Sequence, residues 1–176
     1  LKQMTGETSN INLLDIGSGM GLFIYKAQKK GFNVKGLELS EFAVNFAKSK
    51  GLEAENNSIY NTKLPDNFFH VISMKEVIEH LPDPKSALSI IYKSLKPNGV
   101  LFITTGNFNC PERKIRGANW FCFMPKGHIY IFEPKTIKNF LKQAGFSKII
   151  ITNQGDLLMN FLLKIGVIDT DRFIPQ

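Results

Sequence analysis

The stretch that decides the fold is Asp15-Ile16-Gly17-Ser18-Gly19-Met20-Gly21, which follows the apolar run Asn12–Ile16 and precedes a short helical pattern over residues 23–30. Glycine at every second position lets the chain turn sharply and brings backbone N–H groups close to a ligand. The helix after the loop points its amino terminus at the same place, which suits a carboxylate or a phosphate. Strand, glycine loop and helix in this order predict the first unit of a ligand-binding α/β sheet.

Short apolar runs and helical patterns alternate along the rest of the chain. Strands are predicted over residues 33–37, 53–57, 69–73, 100–105 and 147–153, and helices after Ser40, Asp83 and Glu133. This alternation, with short connections, predicts right-handed βαβ units in an α/β fold with a doubly wound, mostly parallel, Rossmann-like sheet. Because such sheets bind ligands at the carboxyl ends of their strands, we expect the functional residues just after each strand.

Length and composition place the chain among ordinary globular domains. Its 176 residues, 43% of them hydrophobic and 21% charged, predict a single domain and exclude disorder, collagen and coiled coils. The longest uncharged stretch, which contains residues 98–110, is too short and too polar to span a bilayer. Two cysteines, Cys110 and Cys122, cannot form a disulfide framework, which favours a reducing, cytoplasmic setting.

The net charge of +7 is unevenly distributed. Residues 1–80 hold nine lysines and nine acidic residues, whereas residues 81–176 hold thirteen basic and six acidic residues. The second half could therefore face an anionic molecule, or its lysines could simply be solvated on helix faces. Of the 22 basic residues 19 are lysine, and arginine is the usual choice for bidentate recognition, so specific nucleic-acid reading is disfavoured.

Glu38 ends the second predicted strand, twenty-one residues after Gly17. A carboxylate there can accept two hydrogen bonds from a ribose diol, and together with the glycine loop it indicates an adenine nucleoside cofactor. A dinucleotide site requires G-x-G-x-x-G, which would place its third glycine at position 22. That position is Leu22 and the third glycine is Gly21, which weakens the alternative of a nicotinamide-dependent dehydrogenase.

The pattern Asp-x-Gly-x-Gly-x-Gly over residues 15–21 resembles motif I of the class I S-adenosylmethionine-dependent methyltransferases (EC 2.1.1 type). The likeness covers residues 11–153. Three further stretches resemble the family's run into strand four, the segment after that strand and the turn into strand five: LPDNFFHVI (64–72), EVIEHL (76–81) and LKPNGVL (95–101). Residues 127–132 and 136–146 are similar to a subgroup that acts mostly on small molecules. The resemblance implies the methyltransferase fold, with S-adenosyl-L-methionine as cofactor.

The resemblance also implies which residues bind this cofactor. They are Asp15, Gly17, Ser18, Gly19, Gly21, Glu38, Leu39, Asn57, Ser58 and Lys75. The glycine loop would wrap the methionine part, with Asp15 near its amino group. Glu38 would hold the ribose hydroxyls and Leu39 would lie against the adenine, while Lys75 would face the methionine end, chiefly through its backbone.

One departure from the family concerns the adenine. The family often has an aspartate after strand three that binds the adenine amine, whereas this chain has Ser58, preceded by Asn57. Either side chain can accept a hydrogen bond, but more weakly than a carboxylate does. We therefore expect weaker adenine recognition than in the family at large.

Methyl transfer from a sulfonium is an in-line displacement, so the protein needs a base only if the acceptor must lose a proton. His80 and His128 are the candidate catalytic residues, because an unperturbed histidine titrates near the working pH. Lys75, Glu76 and Glu79 are alternatives. Three histidines and two cysteines show no ligand spacing along the chain, so no metal site is predicted.

Residues 107–130 lack periodicity and predict an irregular insert, typical of a substrate lid. Its aromatic and sulfur-containing side chains could roof an acceptor pocket or simply pack as core: Trp120, Phe121, Phe123 and Met124. Basic residues in the same segment favour an anionic acceptor: Arg113, Lys114, Arg116 and Lys126.

The sequence thus predicts an S-adenosylmethionine-dependent transfer of a methyl group to a small-molecule acceptor, at oxygen. A cofactor-binding module without catalysis stays open as an alternative, because Ser58 departs from the family and no base is evident. A methyltransferase acting on nitrogen, on carbon or on a macromolecule also stays open.

The end of the chain predicts an incomplete sheet. Residues 155–168 read as an apolar, helix-like run, and only Phe173 and Ile174 suggest a strand after it. The family's seventh, antiparallel strand is therefore expected to be absent from this chain or supplied by sequence beyond residue 176. That leaves six strands in a domain expected to be trimmed at both ends. An open strand edge favours pairing with another chain, so an oligomer is possible.

Overall fold

The computed structural model describes residues 10–124, 127–154 and 164–169. Its strands are β1 (Asn12–Ile16), β2 (Asn33–Glu38), β3 (Ala54–Asn56), β4 (Phe69–Lys75), β5 (Leu95–Gly106), β6 (Ile149–Gln154) and β7 (Lys164–Asp169). Its helices are α1 (Leu22–Lys29), α2 (Glu41–Ser49), α3 (Pro84–Ser94), α4 (Pro111–Arg116) and α5 (Pro134–Ala144), with short 3-10 turns at Ile78–His80 and Gly117–Asn119. The alternation confirms the predicted doubly wound α/β class.

Within the described residues, seven strands form one sheet in the order β3-β2-β1-β4-β5-β7-β6. The first five strands of this order, from β3 to β5, run parallel to one another. Leu14 of β1 pairs with Lys35 of β2 on one side and with Ile72 of β4 on the other. The strand order reverses between β1 and β4, and an α/β sheet binds its ligands at the carboxyl ends of the strands beside such a reversal.

Helices cover both faces of the sheet, so the central strands are apolar throughout. Residues 69–74 of β4 are all buried. The largest apolar cluster joins one face of the sheet to Leu88 of α3 and Leu141 of α5. The opposite face packs Val71 of β4 with Ala27 of α1. The faces are therefore closed by packing, and the carboxyl edge is left for a ligand.

Capping residues set where two of the covering helices begin. The Ser40 hydroxyl accepts a hydrogen bond from the N–H of Ala43 at 3.3 Å, as its predicted role at the start of α2 requires. A carboxylate oxygen of Asp83 accepts from the N–H of Ser86 at 3.0 Å, and Pro84 occupies the first turn of α3. Each helix therefore begins directly after its capping residue, Ser40 for α2 and Asp83 for α3.

The predicted insert is more regular than its sequence suggested. Residues 111–116 form α4, and Cys110 caps this helix by accepting the N–H of Arg113 on its sulfur. Cys110, Cys122 and Trp120 form a small apolar cluster of their own. Both cysteines are free thiols, and the cytoplasmic setting expected from them stays a prediction.

The expectation that the seventh strand is missing was wrong. Residues 164–169 form β7, which runs antiparallel between β5 and β6, with Val167 paired to Ile103 on one side and to Ile151 on the other. The KIGVID sequence carries three β-branched residues, and insertion between two strands satisfies backbone groups on both sides. The helix-like interpretation therefore fails for 164–168, while residues 155–163, Phe173 and Ile174 lie outside the described residues. The open edge that suggested an oligomer is filled.

None of the described helices is long and apolar enough to cross a membrane.

Replacing Val167 with proline tests the position of β7. Proline cannot donate a backbone hydrogen bond, so a strand with neighbours on both sides should lose about 1 to 3 kcal/mol of stability, the usual cost of an unpaired buried polar group. Urea denaturation measures this loss, and Val167→Thr, which keeps the β-branched shape, is the control. An unchanged midpoint for Val167→Pro would show that residues 164–169 do not sit inside the sheet.

Candidate cofactor site and active site

A cavity of about 460 Å³ opens at the carboxyl ends of β1, β2 and β4. Seven of the residues predicted for the site line it: Gly17, Glu38, Leu39, Asn57, Ser58, Lys75 and His80. They come from separate segments that only the parallel sheet brings together. The volume lies within the range of small-molecule sites.

A larger groove of about 940 Å³ lies elsewhere and is not the better candidate. Asn12 and Asn33, which line it, are the first residues of β1 and β2. The groove therefore reaches the amino ends of the strands, whereas α/β sheets bind ligands at the carboxyl ends.

The glycine loop between β1 and α1 requires its glycines. The backbone angle φ is 70° at Gly17, 53° at Gly19 and 88° at Gly21, values that residues with a Cβ rarely adopt. A Cβ on Gly17 would lie 2.3 Å from Cγ2 of Val77, so the loop packs directly against the segment after β4. The left-handed backbone angles and this close approach together explain why glycine stands at every second position of the loop.

The N–H groups of the loop are partly used inside the protein. Those of Gly17 and Ser18 both donate to the carbonyl of Leu37, at 2.8 and 3.1 Å. That of Gly19 donates to Oε2 of Glu38 at 2.8 Å. At these positions the loop N–H groups are therefore engaged within the protein and are not offered to an anion, contrary to the expectation from the spacing.

Glu38 connects three parts of the site. Its Oε2 accepts from the Gly19 N–H, and its Oε1 accepts from the N–H of Ser40 at 2.8 Å. The Asn56 side-chain amide donates to the backbone carbonyls of Glu38 and Leu39, at 3.0 and 2.8 Å. Since each carboxylate oxygen can accept a further hydrogen bond, Glu38 remains able to bind a ribose diol.

Asp15 lies behind the cavity with 1% of its surface exposed. The Ser73 hydroxyl donates to its Oδ1 at 2.6 Å. Among the described residues its Oδ2 has no hydrogen-bond partner. This Oδ2 lies 3.9 Å from Nζ of Lys75. The same Nζ lies 3.7 Å from the centre of the Phe23 ring. Burial raises the pKa of Asp15 to about 6, against the opposing effects of Ser73 and Lys75. A ligand ammonium near Oδ2 would offset this desolvation.

Ser18, the other buried polar residue of the loop, supports it through packing. Its side chain is 8% exposed, and a Cβ on Gly36 would lie 2.5 Å from its Oγ. Its predicted contact with the cofactor would therefore come from the backbone.

Asn57 and Ser58 both line the cavity but differ in what they can still offer. The Asn57 side chain donates to Oε1 of Glu55 at 3.0 Å and accepts from the Ser58 N–H at 2.9 Å. The Ser58 Oγ accepts from the N–H of Asn61 at 3.2 Å, which leaves its O–H to donate. A serine O–H suits an adenine ring nitrogen, whereas the adenine amine requires an acceptor.

His80 and His128 lie side by side although they come from distant parts of the chain. Their ring centroids are 4.8 Å apart. Nδ1 of His80 lies 2.7 Å from the Gly127 carbonyl, and Nδ1 of His128 lies 2.8 Å from the Cys122 carbonyl. A carbonyl can only accept, so both Nδ1 atoms donate, and each neutral ring carries its lone pair on Nε2.

Glu79, one of the alternative bases, lies directly before His80 and is buried. It is 2% exposed, and neither carboxylate oxygen meets hydrogen-bond geometry with a described donor, although the nearby Thr105 side chain opposes the effect of burial on its pKa. Burial raises its pKa, and the charge of Glu76 adds to this. The N–H groups of Ile129 and Tyr130 donate to the Glu79 carbonyl, which holds the end of the insert beside His80. The adjacency of Glu79 and His80 was visible in the sequence, but their meeting with His128 was not.

The predicted aromatic roof does not cover the cavity. Trp120 is 2% exposed and belongs to the small cluster of the insert, with Phe123 edge-on to it at 5.4 Å. In the described structure none of Trp120, Phe121, Phe123 and Met124 is among the residues that line the cavity. The alternative of core packing therefore holds for Trp120.

The arginines of the insert stabilise the insert itself. Nε of Arg113 donates to the Phe108 carbonyl, and its guanidinium lies 4.1 Å from the centre of the Phe108 ring. Nε of Arg116 pairs with Oε1 of Glu112 at 2.7 Å, one helical turn away. Lys126 lies outside the described residues. The presence of these basic residues is thus explained in part without an anionic acceptor.

The sequence of the chain is similar to a family model and to several curated proteins. Residues 2–150 match the family model described as a methyltransferase domain. The ubiquinone biosynthesis O-methyltransferase of Histophilus somni is 32% identical over 162 residues, covering 82% of this chain and 68% of that protein. The protein of the same name from Hydrogenovibrio crunogenus is 27% identical over 149 residues, covering 77% of this chain but only 62% of its own length. This chain therefore spans about three fifths of some of the relatives it matches.

A solved structure shows the same fold. Phosphoethanolamine N-methyltransferase 2 of Haemonchus contortus, in complex with S-adenosyl-L-methionine, superposes with a TM-score of 0.69 at 22% identity, covering 87% of this chain and 37% of that one. Fold and site together define a class I, S-adenosylmethionine-dependent methyltransferase domain. The chain belongs to this methyltransferase family, which confirms the resemblance, and the predicted cofactor is the family's own.

Replacing Asp15 with asparagine tests the buried carboxylate. Its pKa is raised from 3.8 to about 6 on folding, so between these values the folded protein keeps a proton that the unfolded chain has lost. The wild-type free energy of unfolding should therefore fall as pH rises from 4 to 7, by about 2 kcal/mol, and Asp15→Asn should lack this fall. Urea denaturation at both pH values measures the difference between the two proteins. Asp66→Asn, at an exposed position, is the control, and parallel pH dependence in all three proteins would contradict the assignment.

Proposed function

We propose that this domain transfers the methyl group of S-adenosylmethionine to a hydroxyl oxygen of a small-molecule acceptor. The observation that carries the proposal is a single cavity lined at one place by the glycine loop and Glu38, and at another by His80. A cofactor held by the first set would thus have its reactive end within reach of the second.

The residues of the cavity fit the cofactor in their chemistry. The Oδ2 atom of Asp15 suits the cationic amino group. Glu38 retains acceptor capacity for the ribose hydroxyls, and Leu39 supplies an apolar surface for the adenine. When bound, S-adenosylmethionine supplies a methyl group that its sulfonium already activates.

Transfer to oxygen is favoured by the histidine pair. A hydroxyl is a weak nucleophile until it loses its proton. The Nε2 lone pair of His80, which lines the cavity, can promote this loss, and His128 lies beside it. The names of the O-methyltransferase relatives agree with this choice of atom.

The insert is proposed to border the acceptor. Its last residues carry His128 to the side of His80, and the backbone of Ile129 and Tyr130 fixes that position on the Glu79 carbonyl. A segment held beside His80 in this way could exclude water when an acceptor is bound.

A methyl-transfer assay tests the function. The purified protein is incubated with S-adenosylmethionine and with pairs of acceptors that share a skeleton but carry either a hydroxyl or an amine, and mass spectrometry detects S-adenosylhomocysteine and the methylated product. We expect turnover with members of the hydroxyl series, and Glu38→Ala should weaken cofactor binding by about 1 to 3 kcal/mol while Glu133→Ala, outside the cavity, should not. Turnover with amines alone would overturn the choice of oxygen. Cofactor binding without turnover on any acceptor would instead support a module that has lost catalysis.

Replacing Ser58 with aspartate tests the adenine contact by improving it. Aspartate can still accept the Asn61 N–H and adds a charged acceptor for the adenine amine. A charge-assisted hydrogen bond is roughly twice as strong as a neutral one, so we expect cofactor affinity to rise about fivefold in calorimetry. Ser58→Asn, which is isosteric but neutral, is the control. Equal affinities for all three proteins would place the adenine elsewhere.

A further inference from the structure

Helices α1 and α2 expose large apolar side chains on the side that faces away from the sheet. They belong to Met20, Leu22, Tyr25, Phe42 and Phe46, and each of these residues is between 40% and 71% exposed. Phe42 and Phe46 are four residues apart in α2, which places them on one face of that helix. None of the five is among the described residues that line the cofactor cavity. This group is the α1–α2 surface.

The α1–α2 surface is large for a protein that works alone. Since an aromatic side chain has roughly 200 Å² of surface, the five side chains together expose on the order of 500 Å². Soluble monomers rarely leave a contiguous apolar patch of more than a few hundred Å² open to water. A stable protein contact buries about 800 Å² on each partner, so the apolar side chains supply more than half of what one needs.

Lysines at the rim extend the same surface. Nζ of Lys29 lies 5.6 Å from the centre of the Tyr25 ring, and Nζ of Lys50 lies 5.4 Å from the centre of the Phe46 ring. Lysine stems that lie along aromatic rings in this way add apolar area while their ammonium groups stay in water. The rim therefore has the polar edge that surrounds the apolar centre of a protein interface.

The α1–α2 surface contains both a hollow and a projection. The hollow has a volume of about 400 Å³ and lies between the two helices, where residues 20–22, Tyr25, Phe46, Lys50 and Leu52 line it. Phe42 stands beside the hollow, one helical turn before Phe46, and is the most exposed member of the group. A flat lipid surface would not fill a hollow, whereas a projecting side chain of another protein does.

The charges of α2 favour a second copy of this chain as the occupant. Glu41 stands next to the projecting Phe42 at the start of the helix, and Lys50 lines the hollow at its other end. A two-fold axis across α2 lays the helix antiparallel to its copy. This operation brings Phe42 of each chain over the hollow of the other and Glu41 of each chain to Lys50 of the other. A two-fold interface requires a surface that is complementary to itself in this way.

We propose that the α1–α2 surface is the interface of a homodimer, in which Phe42 of each chain fills the hollow of the other and Glu41 pairs with Lys50 across the two-fold axis. The apolar contact supplies most of the affinity, while the rim charges set the antiparallel register. The interface is independent of the acceptor, and it lies beside the cofactor site because α1 follows the glycine loop and α2 follows Ser40, whose N–H donates to Glu38.

Sedimentation equilibrium over a range of protein concentrations tests the dimer, on protein without an affinity tag. We expect a reversible monomer–dimer equilibrium with a dissociation constant in the micromolar range, as an interface of modest area gives. Phe42 is exposed, so Phe42→Ser should keep the fold, checked by circular dichroism, and should raise the dissociation constant about 100-fold, as the loss of a central aromatic residue does. Ile115→Ser is the matched control, because Ile115 is 84% exposed on the insert and lies outside the α1–α2 surface.

A charge exchange tests the two-fold register. Glu41→Lys and Lys50→Glu should each weaken self-association at least about tenfold, because each variant places like charges opposite one another at both ends of the paired helices. An equimolar mixture of the two variants should dimerise about as well as the wild type, since both opposite-charge pairs are restored in the mixed dimer. A merely structural effect of either substitution would not be repaired by mixing.

Three results would overturn the proposal. The first is a wild type that stays monomeric at millimolar concentration, and the second is a dimer that Phe42→Ser leaves intact. The third is a mixture of Glu41→Lys and Lys50→Glu that associates no better than either variant alone. Binding of a monomeric wild type to vesicles of anionic lipid, lost in Phe42→Ser, would assign the α1–α2 surface to a membrane instead of a second copy.

Discussion

The carboxylate of Glu38 is the interaction on which the rest of the site depends. One oxygen holds the Gly19 N–H and the other holds the Ser40 N–H, so a single side chain ties the loop after β1 to the end of β2 and to the start of α2. Hydrogen bonds to an ionised acceptor are stronger than neutral ones. They help to offset the conformational entropy that a loop with left-handed glycines loses on folding. The same carboxylate therefore builds the cavity and is available to a ligand inside it.

Two buried carboxylates, Asp15 and Glu79, give the neighbourhood of the cavity a common electrostatic character. Burial raises the pKa of each, and each has at least one oxygen without a hydrogen-bond partner in the described structure. Ionised carboxylates removed from water favour positive charge beside them. A cofactor with a cationic amino group would relieve this cost at Asp15.

The sequence was informative wherever a function depends on neighbours along the chain. The glycine loop demands particular backbone angles at Gly17, Gly19 and Gly21, and only glycine adopts them easily, so its pattern could be recognised directly. Glu38 could be placed because it ends the second strand, at a recognisable spacing from Gly17. The insert was harder, since Trp120 and Arg113 could each serve a ligand or the insert's own packing, and only contacts in the folded chain show the second.

The sequence by itself therefore determined the order of strands and helices, the glycine loop and the carboxylate at the end of β2, because these follow from backbone preferences within a few residues. The tertiary structure decided the rest. Residues 164–169 are strand rather than helix because β5 and β6 present unpaired backbone groups on both sides, a demand that local apolar periodicity does not reveal. Glu79 and His80 meet His128 because backbone N–H groups of the insert bind the Glu79 carbonyl, a contact between segments that no spacing along the chain encodes.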